Sequence, residues 1–298
     1  MDLADIFCLN PKYSTTRIVT KKQPRIENDP SSKLQTQLFL PDHPERQGEG
    51  GLRTNGYFKK SFNGKPLISI ITVVFNGHEH IEQTIHSVIS QTYDNLEYII
   101  IDGGSTDGTL DIIRRYDHAV DYWVSEPDKG LYDAMNKGWS VARDSSFLLF
   151  LGAGDEILEL PLEIPKFRNC DVIFGKVDLG EGKFFNSKAD IRLRLGNTLH
   201  HQALLINKSL SSEPPFNTKY KIYADFDFNQ RLLKQGVKFI HSSNFVSYAM
   251  PGGASKQLLI NESVSIVMKN FGVFWAMVAI LYYLYQGVKF GFNTLSIR

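Results

Sequence analysis

The amino-acid sequence predicts an α/β fold in which a mostly parallel sheet is flanked by helices and an apolar helix follows at the C-terminal end. Three observations carry that prediction. A β-branched run at 67–74 is apolar on both faces, and it and the largely apolar runs at 97–101 and 147–151 suit buried strands covered on two sides. Segments of helical period lie between them. The joining turns are short, as in parallel sheets with right-handed crossovers.

Taken in order, residues 1–64 are polar, rich in Ser, Thr, Gln, Lys and Pro, and carry Gly48-Glu49-Gly50-Gly51. No period of 2 or 3.6 persists there, and such a segment has little apolar surface with which to offset its ordering entropy. It is either a mobile or loosely docked N-terminal extension or an ordered surface arm. The main domain is expected over 65–255. Leu67–Val74 is its first strand, bounded by Pro66 and by Asn76-Gly77, and Ile81, Ile85, Val88 and Ile89 then mark a helix. Glu97–Ile101 is the second strand. It ends in Asp102-Gly103-Gly104-Ser105-Thr106-Asp107-Gly108, a turn into a helix with Leu110, Ile113 and Tyr116 inward. Ser105, Thr106 or Asp107 could cap that helix, and capping is the favoured role for Asp107.

Tyr122–Val124 is a short third strand, and Leu131, Ala134, Met135, Gly138 and Ala142 mark the next helix face. Phe147–Leu151 is the fourth strand. Further strands are expected at Val172–Phe174 and Val237–Ile240, with a helix at about 226–235 between them. The segment 256–298 is expected to be helical. Phe271 to Tyr285 is almost wholly apolar, with Trp275, Tyr282, Tyr283 and Tyr285, and lies beside Lys269, Lys289 and Arg298. A spanning helix needs ~20 apolar residues, and this run is shorter. An interfacial helix in the headgroup layer, a helix packed on the domain or a second subunit, and a true span all remain open.

Composition bounds the function. The 298 residues carry 33 Lys+Arg and 32 Asp+Glu, a formal net charge of +1. A general nucleic-acid binder needs a basic excess, so nucleic acid is not an expected partner. Cys8 and Cys170 match no metal spacing and build no disulfide framework, which fits a reducing, cytoplasmic compartment. The acidic start, Met1-Asp2-Leu3-Ala4-Asp5, predicts no secretory signal peptide.

In open α/β sheets ligands sit beyond the carboxyl ends of the strands. There the first strand delivers Phe75-Asn76-Gly77 and the second Asp102 and its glycines. The third delivers Ser125-Glu126-Pro127-Asp128-Lys129-Gly130, and the fourth Gly152-Ala153-Gly154-Asp155-Glu156. Three strands thus end in acids at one rim. Gathered carboxylates repel, and they persist where a cation or hydrogen-bond donors offset them. Hard oxygen ligands suit Mg²⁺ or Mn²⁺. An acid after the second strand can also accept hydrogen bonds from a ribose or a base. The first turn has no G-x-G-x-x-G, which argues against a dinucleotide site, and no P-loop occurs.

Several ordered motifs resemble a known family. Ile68–Asn76, Ser87-Val88-Ile89-Ser90-Gln91-Thr92-Tyr93 and Asp102-Gly103-Gly104-Ser105-Thr106-Asp107-Gly108-Thr109 are similar to the start of family 2 glycosyltransferases. Glu126-Pro127-Asp128-Lys129-Gly130-Leu131-Tyr132-Asp133-Ala134-Met135-Asn136-Lys137-Gly138 resembles a subgroup that makes exopolysaccharide, colanic-acid-like or O-antigen chains. The likeness continues at His200-His201-Gln202, Ala224-Asp225-Phe226-Asp227 and Gly252-Gly253-Ala254-Ser255, and covers about 66–255.

The resemblance implies a GT-A fold, a Rossmann-like sheet flanked by helices, and a metal-dependent, inverting transfer of hexosyl type from a UDP- or GDP-sugar. It implies that Asp102 reads the nucleotide base, with Phe75, Asn76, Gly103, Asp128, Lys129 and Asn136 on the donor side. It implies that Asp155 holds the diphosphate through Mg²⁺ or Mn²⁺ and that Asp225 is the catalytic base, with Asp227 in reserve. His201 and Gln202 are read as acceptor-side or structural. The implied acceptor is a saccharide, lipid-linked, met at the inner membrane face by peripheral contact. The sequence departs from the family in two places. Ala153-Gly154-Asp155 stands where two acids are usual, and Ala134-Met135-Asn136 lacks the usual Arg, for which Lys129 or Lys137 is the candidate substitute. A non-catalytic membrane-associated nucleotide-binding module and a nicotinamide-linked oxidoreductase are the alternatives.

Overall fold

Every residue of the first predicted strand, β2 (Ile68–Val74), is buried, as an apolar run with no polar face requires. The computed structural model describes residues 5–28, 30, 33, 35–62, 64–161, 170–211, 213–252 and 259–290. β2 is paired in parallel with β3 (Leu96–Asp102) on one side and β5 (Phe147–Gly152) on the other, and β4 (Tyr122–Ser125) is parallel to β3. The crossovers are α1 (Ile81–Ile89), α2 (Thr109–Arg115) and α3 (Leu131–Val141). Alternation along β2 divides its side chains between two cores. Ile68, Ile70 and Val74 meet α1 and α2, whereas Ile71 and Val73 share the other face with Trp139, Phe150 and Phe226.

Beyond β5 the sheet becomes mixed. β9 (Leu204–Asn207) runs antiparallel to both β5 and β7 (Val172–Asp178). β10 (Phe239–Tyr248) is parallel to β7, β6 (Glu156–Glu159) closes the edge against β10, and β8 (Phe184–Asn186) pairs with β7. With β1 (Gly48–Gly50), ten strands form one sheet among the described residues, in the order β1-β4-β3-β2-β5-β9-β7-β10-β6 with β8 on β7. The parallel sheet read from the sequence is its β4-β3-β2-β5 part. α4 (Ala224–Gln235) packs on the Trp139 face.

The N-terminal segment is an ordered arm over its described residues. β1 pairs antiparallel with the outer edge of β4, Gly48 opposite Ser125. Arg53 is 2% exposed and its guanidinium meets Glu97 of β3 at 2.7 Å. Lys59 is equally buried. Its ammonium donates to the Thr15 and Ile18 carbonyls and faces Asp121 at 3.9 Å. The polar arm is therefore ordered by buried charge pairs together with scattered buried apolar side chains, Val19, Leu38, Leu40, Leu52 and Phe58.

At the other end, Gly272 divides the tail into α5 (Ile260–Phe271) and α6 (Val273–Phe290). α6 buries Ala276 and Ala279, and the Tyr283 hydroxyl meets Ser263 of α5 at 2.6 Å. Its opposite face is exposed at Val273, Phe274, Met277, Ile280, Leu281, Leu284 and Tyr285, a helical stripe. Of the three readings open for the tail, packing on the domain accounts for one face. Among the described residues no helix is long and apolar enough to cross a membrane. Gly253, Ala254 and Ser255 of the last motif, and Phe292 and Arg298 of the tail, lie outside the described residues.

Candidate active site

Sheet register brings the strand-end acids to one rim. Asp102 is opposite Val74 and Ser125, and Gly152 is opposite Val73. With neighbouring strands ~4.8 Å apart, the ends of β3 and β5 are about 10 Å from one another across β2.

On the donor side, Gly103 permits close packing of the turn. A Cβ there would lie 2.4 Å from Asp128 Oδ2 and 3.4 Å from the Phe75 ring. Phe75 is 66% exposed, an aromatic face presented to solvent at the rim. Asp128 Oδ1 accepts the Gly130 N–H at 2.7 Å, leaving Oδ2 toward Gly103. Asn76 has φ 52, which Asn tolerates better than most residues. Its N–H donates to Ser105 Oγ at 2.7 Å and its Oδ1 accepts the Thr106 N–H at 2.9 Å, so it braces the glycine turn.

Asp102 is fully buried. One oxygen accepts the Ser105 hydroxyl; the other accepts the Ser105 N–H at 3.1 Å and the Ser125 hydroxyl at 2.5 Å. It is enclosed by these partners and through them holds the turn that follows β3. A cleft of about 350 Å³ opens after β2, lined by Asn76, Gly77, His78, Glu79, His80 and Asp107; Asp102, Asp155 and Asp225 do not line it. Asp107 accepts the Thr109 N–H at 3.1 Å at the start of α2 and the His78 N–H at 3.0 Å, which is capping and bracing.

Asp155 and Asp225 are brought together by a short segment before β9. Asp155, 6% exposed, accepts the Gly152 N–H at 2.7 Å, the Met250 N–H at 3.1 Å and the Gln202 amide at 3.0 Å. Because Gln202 spends its N–H on Asp155, its Oε1 accepts from His200 Nδ1. Burial and the neighbouring His201 hold His200 below the usual histidine range, so it is neutral. The two imidazoles stack, with ring centroids 5.6 Å apart. His201 Nδ1 is 3.7 Å from Asp225 Oδ2.

Asp225 is the second residue of α4 and is 8% exposed. Oδ2 also accepts the Asn197 amide at 3.0 Å; Oδ1 accepts the Phe226 N–H at 2.8 Å and faces the Tyr132 hydroxyl at 3.4 Å. Gln202 therefore sits against Asp155, at the donor end of the segment, and it is His201 that adjoins Asp225. Asn197 lies in no motif, and Tyr132, though inside Glu126–Gly138, carries no sign of its contact with Asp225, since each reaches that carboxylate only through the fold.

Three expected site residues are committed elsewhere. Asn136 gives both ends of its amide to the Phe216 backbone, at 2.7 and 3.1 Å, and is a strut between α3 and the 216 loop. Asp227 is 1% exposed and faces away from Asp225. It binds Arg231, Lys269 and Asn270, each at 3.1 Å, and clasps α4 to α5. Lys137 is held by Glu126 at 2.8 Å, and Arg46 of the N-terminal arm holds the other oxygen of that carboxylate at 2.7 Å. Lys129 is exposed at the rim, with its N–H given to Asp133.

Among the described residues no cluster of three or more His, Cys, Asp or Glu side chains could hold a metal ion. Asp155 alone fits a cation that takes most of its ligands from substrate phosphates and water, as Mg²⁺ commonly does. Its Oδ1 accepts one hydrogen bond and keeps a lone pair for such a bond.

The fold is an α/β sheet with acids from several strands at one rim, and comparison with known proteins gives its class. The profile of Glycosyl transferase family 2 matches residues 69–241. The chain belongs to that family and is a glycosyltransferase of GT-A fold. A "PGL/p-HBAD biosynthesis glycosyltransferase" of Mycobacterium bovis is 30% identical over 211 residues, 66% of this chain and 82% of that one. A "Putative teichuronic acid biosynthesis glycosyltransferase TuaG" of Bacillus subtilis is 36% identical over 123 residues, 38% of this chain and 47% of that protein. The crystal structure of S. aureus TarS superposes with a TM-score of 0.55 at 16% identity, covering 78% of this chain and 46% of TarS. That of TarS 1–349 with UDP-GlcNAc gives 0.52, covering 69% and 67%. At such identity the structural likeness speaks for the fold alone. Family membership sets aside the nicotinamide-linked alternative.

Proposed function

We propose that the chain moves a sugar from a UDP- or GDP-sugar to a saccharide acceptor, with inversion, in the building of a polysaccharide or glycoconjugate. The carrying observation is the pair Asp155 and Asp225, drawn from the end of β5 and the start of α4 and bridged by His200-His201-Gln202. The names of the relatives, for PGL/p-HBAD and teichuronic acid biosynthesis, support the product class. The TarS complex with UDP-GlcNAc supports a nucleotide-sugar donor.

In this reading Phe75, Gly103, Asp128 and Lys129 receive the nucleotide, on a turn organised by Asn76 and Asp102. Asp225 accepts the proton of the acceptor hydroxyl as that oxygen bonds to the anomeric carbon. The bond to the diphosphate breaks on the opposite face, and its electron pair leaves with the nucleoside diphosphate. The segment from Gln202 to His201 fixes the two ends relative to each other, so both sugars are held in line. Asp155 would hold a divalent cation, Mg²⁺ or Mn²⁺, which would supply charge against that building on the leaving group. The acceptor in this reading is lipid-linked and met at the inner membrane face; the outward apolar stripe of α6 is the observation behind that part.

The test is nucleoside diphosphate release from a panel of UDP- and GDP-sugars. Asp155→Ala and Asp225→Ala are each expected to abolish it while a cooperative urea transition is kept, at a midpoint lowered by the hydrogen bonds each carboxylate accepts. Undiminished turnover in both refutes the reading.

A further inference from the structure

We propose that Asn197 is a positioning residue for Asp225, and that the C-terminal helix α6, outside the family-matched segment, sets the place of Asn197 through Gly196. The inference rests on Asp225 as the base.

Three contacts carry it. Asn197, half-buried, donates its amide N–H to Asp225 Oδ2 at 3.0 Å. Its own Oδ1 accepts the Asn229 amide from α4 at 3.3 Å and the Leu199 N–H at 3.4 Å, which leaves its amide one orientation. The preceding residue is a buried glycine roofed by α6. A Cβ at Gly196 would lie 3.1 Å from the Tyr283 hydroxyl and 3.6 Å from the Tyr282 ring. Tyr283 is in turn held at 2.6 Å by Ser263. Flanking residues make the loop stiff: Leu193 and Arg194 give their carbonyls to the Gln230 amide at 3.0 and 3.1 Å. Arg194 lies over the Trp275 ring at 4.9 Å, a second tie to α6.

A base that must meet an acceptor oxygen in line tolerates little misplacement, and a carboxylate with one donor removed turns about its Cβ–Cγ bond. A side chain at 196 would begin 3.1 Å from the tyrosine hydroxyl, closer than an ordinary contact, so the hydroxyl and the loop would have to part by a few tenths of an ångström. Movement of α6 across its neighbours would therefore be passed to the Asp225 carboxylate by two residues of chain. The coupling gives the apolar helix a part in the reaction beyond any anchoring.

The test compares full-length variants by nucleoside diphosphate release from the UDP- or GDP-sugar that the wild-type chain turns over. Asn197→Ala is expected to lower kcat about tenfold to hundredfold with the donor KM and urea midpoint unmoved. A merely structural residue would move the midpoint and KM together. Gly196→Ala is expected to lower kcat several-fold. Adding Tyr283→Phe, which clears the hydroxyl, is expected to restore most of the loss. Wild-type kcat in Asn197→Ala, or no recovery in the double variant, overturns the inference. Undiminished turnover in Asp225→Asn would instead remove the base reading beneath it, so the two failures are separable.

Discussion

Asp225 and Asp227 stand two residues apart on α4, about 200° around the helix, and that angle separates a site residue from a clasp. Asp227 is enclosed by Arg231, Lys269 and Asn270. Asp227→Ala leaves the buried Asn270 amide short of an acceptor and frees two partly exposed cations, a cost on the order of 2 kcal/mol once their exposure is allowed for. Urea denaturation is expected to show that loss for Asp227→Ala while sugar transfer by the folded protein is kept, whereas Asp225→Ala is expected to lose transfer; loss of transfer in both would contradict the assignment. The sequence could mark both as acids beside an apolar run but could not say which met His201 and Asn197, because that depends on where α5 docks. Asp155 was legible because it follows a buried strand by a few residues. Asp102 was legible as a strand-end acid, yet its enclosure was not, because Ser125 comes from a neighbouring strand and only pairing places it there.

At the level of elements, strands buried on both faces were readable, since β2, β3 and β5 are runs that no amphipathic pattern could explain. β1 was not. Gly-Glu-Gly has no strand propensity, and it is extended because the free edge of β4 offers it hydrogen bonds. The arm around it was equally opaque, because Arg53 and Lys59 read as surface charges until Glu97 and Asp121 are seen beneath them. α6 was legible as apolar but not as two-faced, because Ala276 and Ala279 mark its inner side only once α5 is in place. Its outer face tests the membrane part of the reading. Phe274 and Leu281 are 65% and 66% exposed, so replacing both by Glu is expected to cost under ~0.5 kcal/mol of stability each. The wild-type chain is expected to sediment with anionic phospholipid vesicles and Phe274→Glu/Leu281→Glu to remain in the supernatant. Equal sedimentation of the two would show that this stripe does not meet lipid.

Across the whole molecule, the N-terminal arm, the end of α3 and the 3-10 turn after β9 meet at one buried cation. Lys208 is 4% exposed and donates to Thr36 Oγ1 at 2.8 Å and to the Ala142 carbonyl, with Asp144 at 3.3 Å. Burial outweighs the pull of Asp144 and brings its pKa down from 10.5 to about 8. Between those values the unfolded chain binds the proton and the folded chain does not, so stability rises with pH from about 8 to 10.5. The gain is present in full above 10.5 and is lost as pH falls through about 8, below which both states are charged. The full span corresponds to on the order of 3 kcal/mol. Lys208→Met removes the titrating group, and its lower starting stability, from acceptors left unpaired at Ala142 and Thr36, does not depend on pH in that window. Urea midpoints across it are therefore expected to climb in wild type relative to Lys208→Met, the difference widening with rising pH. A parallel pair of curves would mean that Lys208 stays charged and that the junction of arm, helix and sheet is held by a buried ion rather than by a neutral donor.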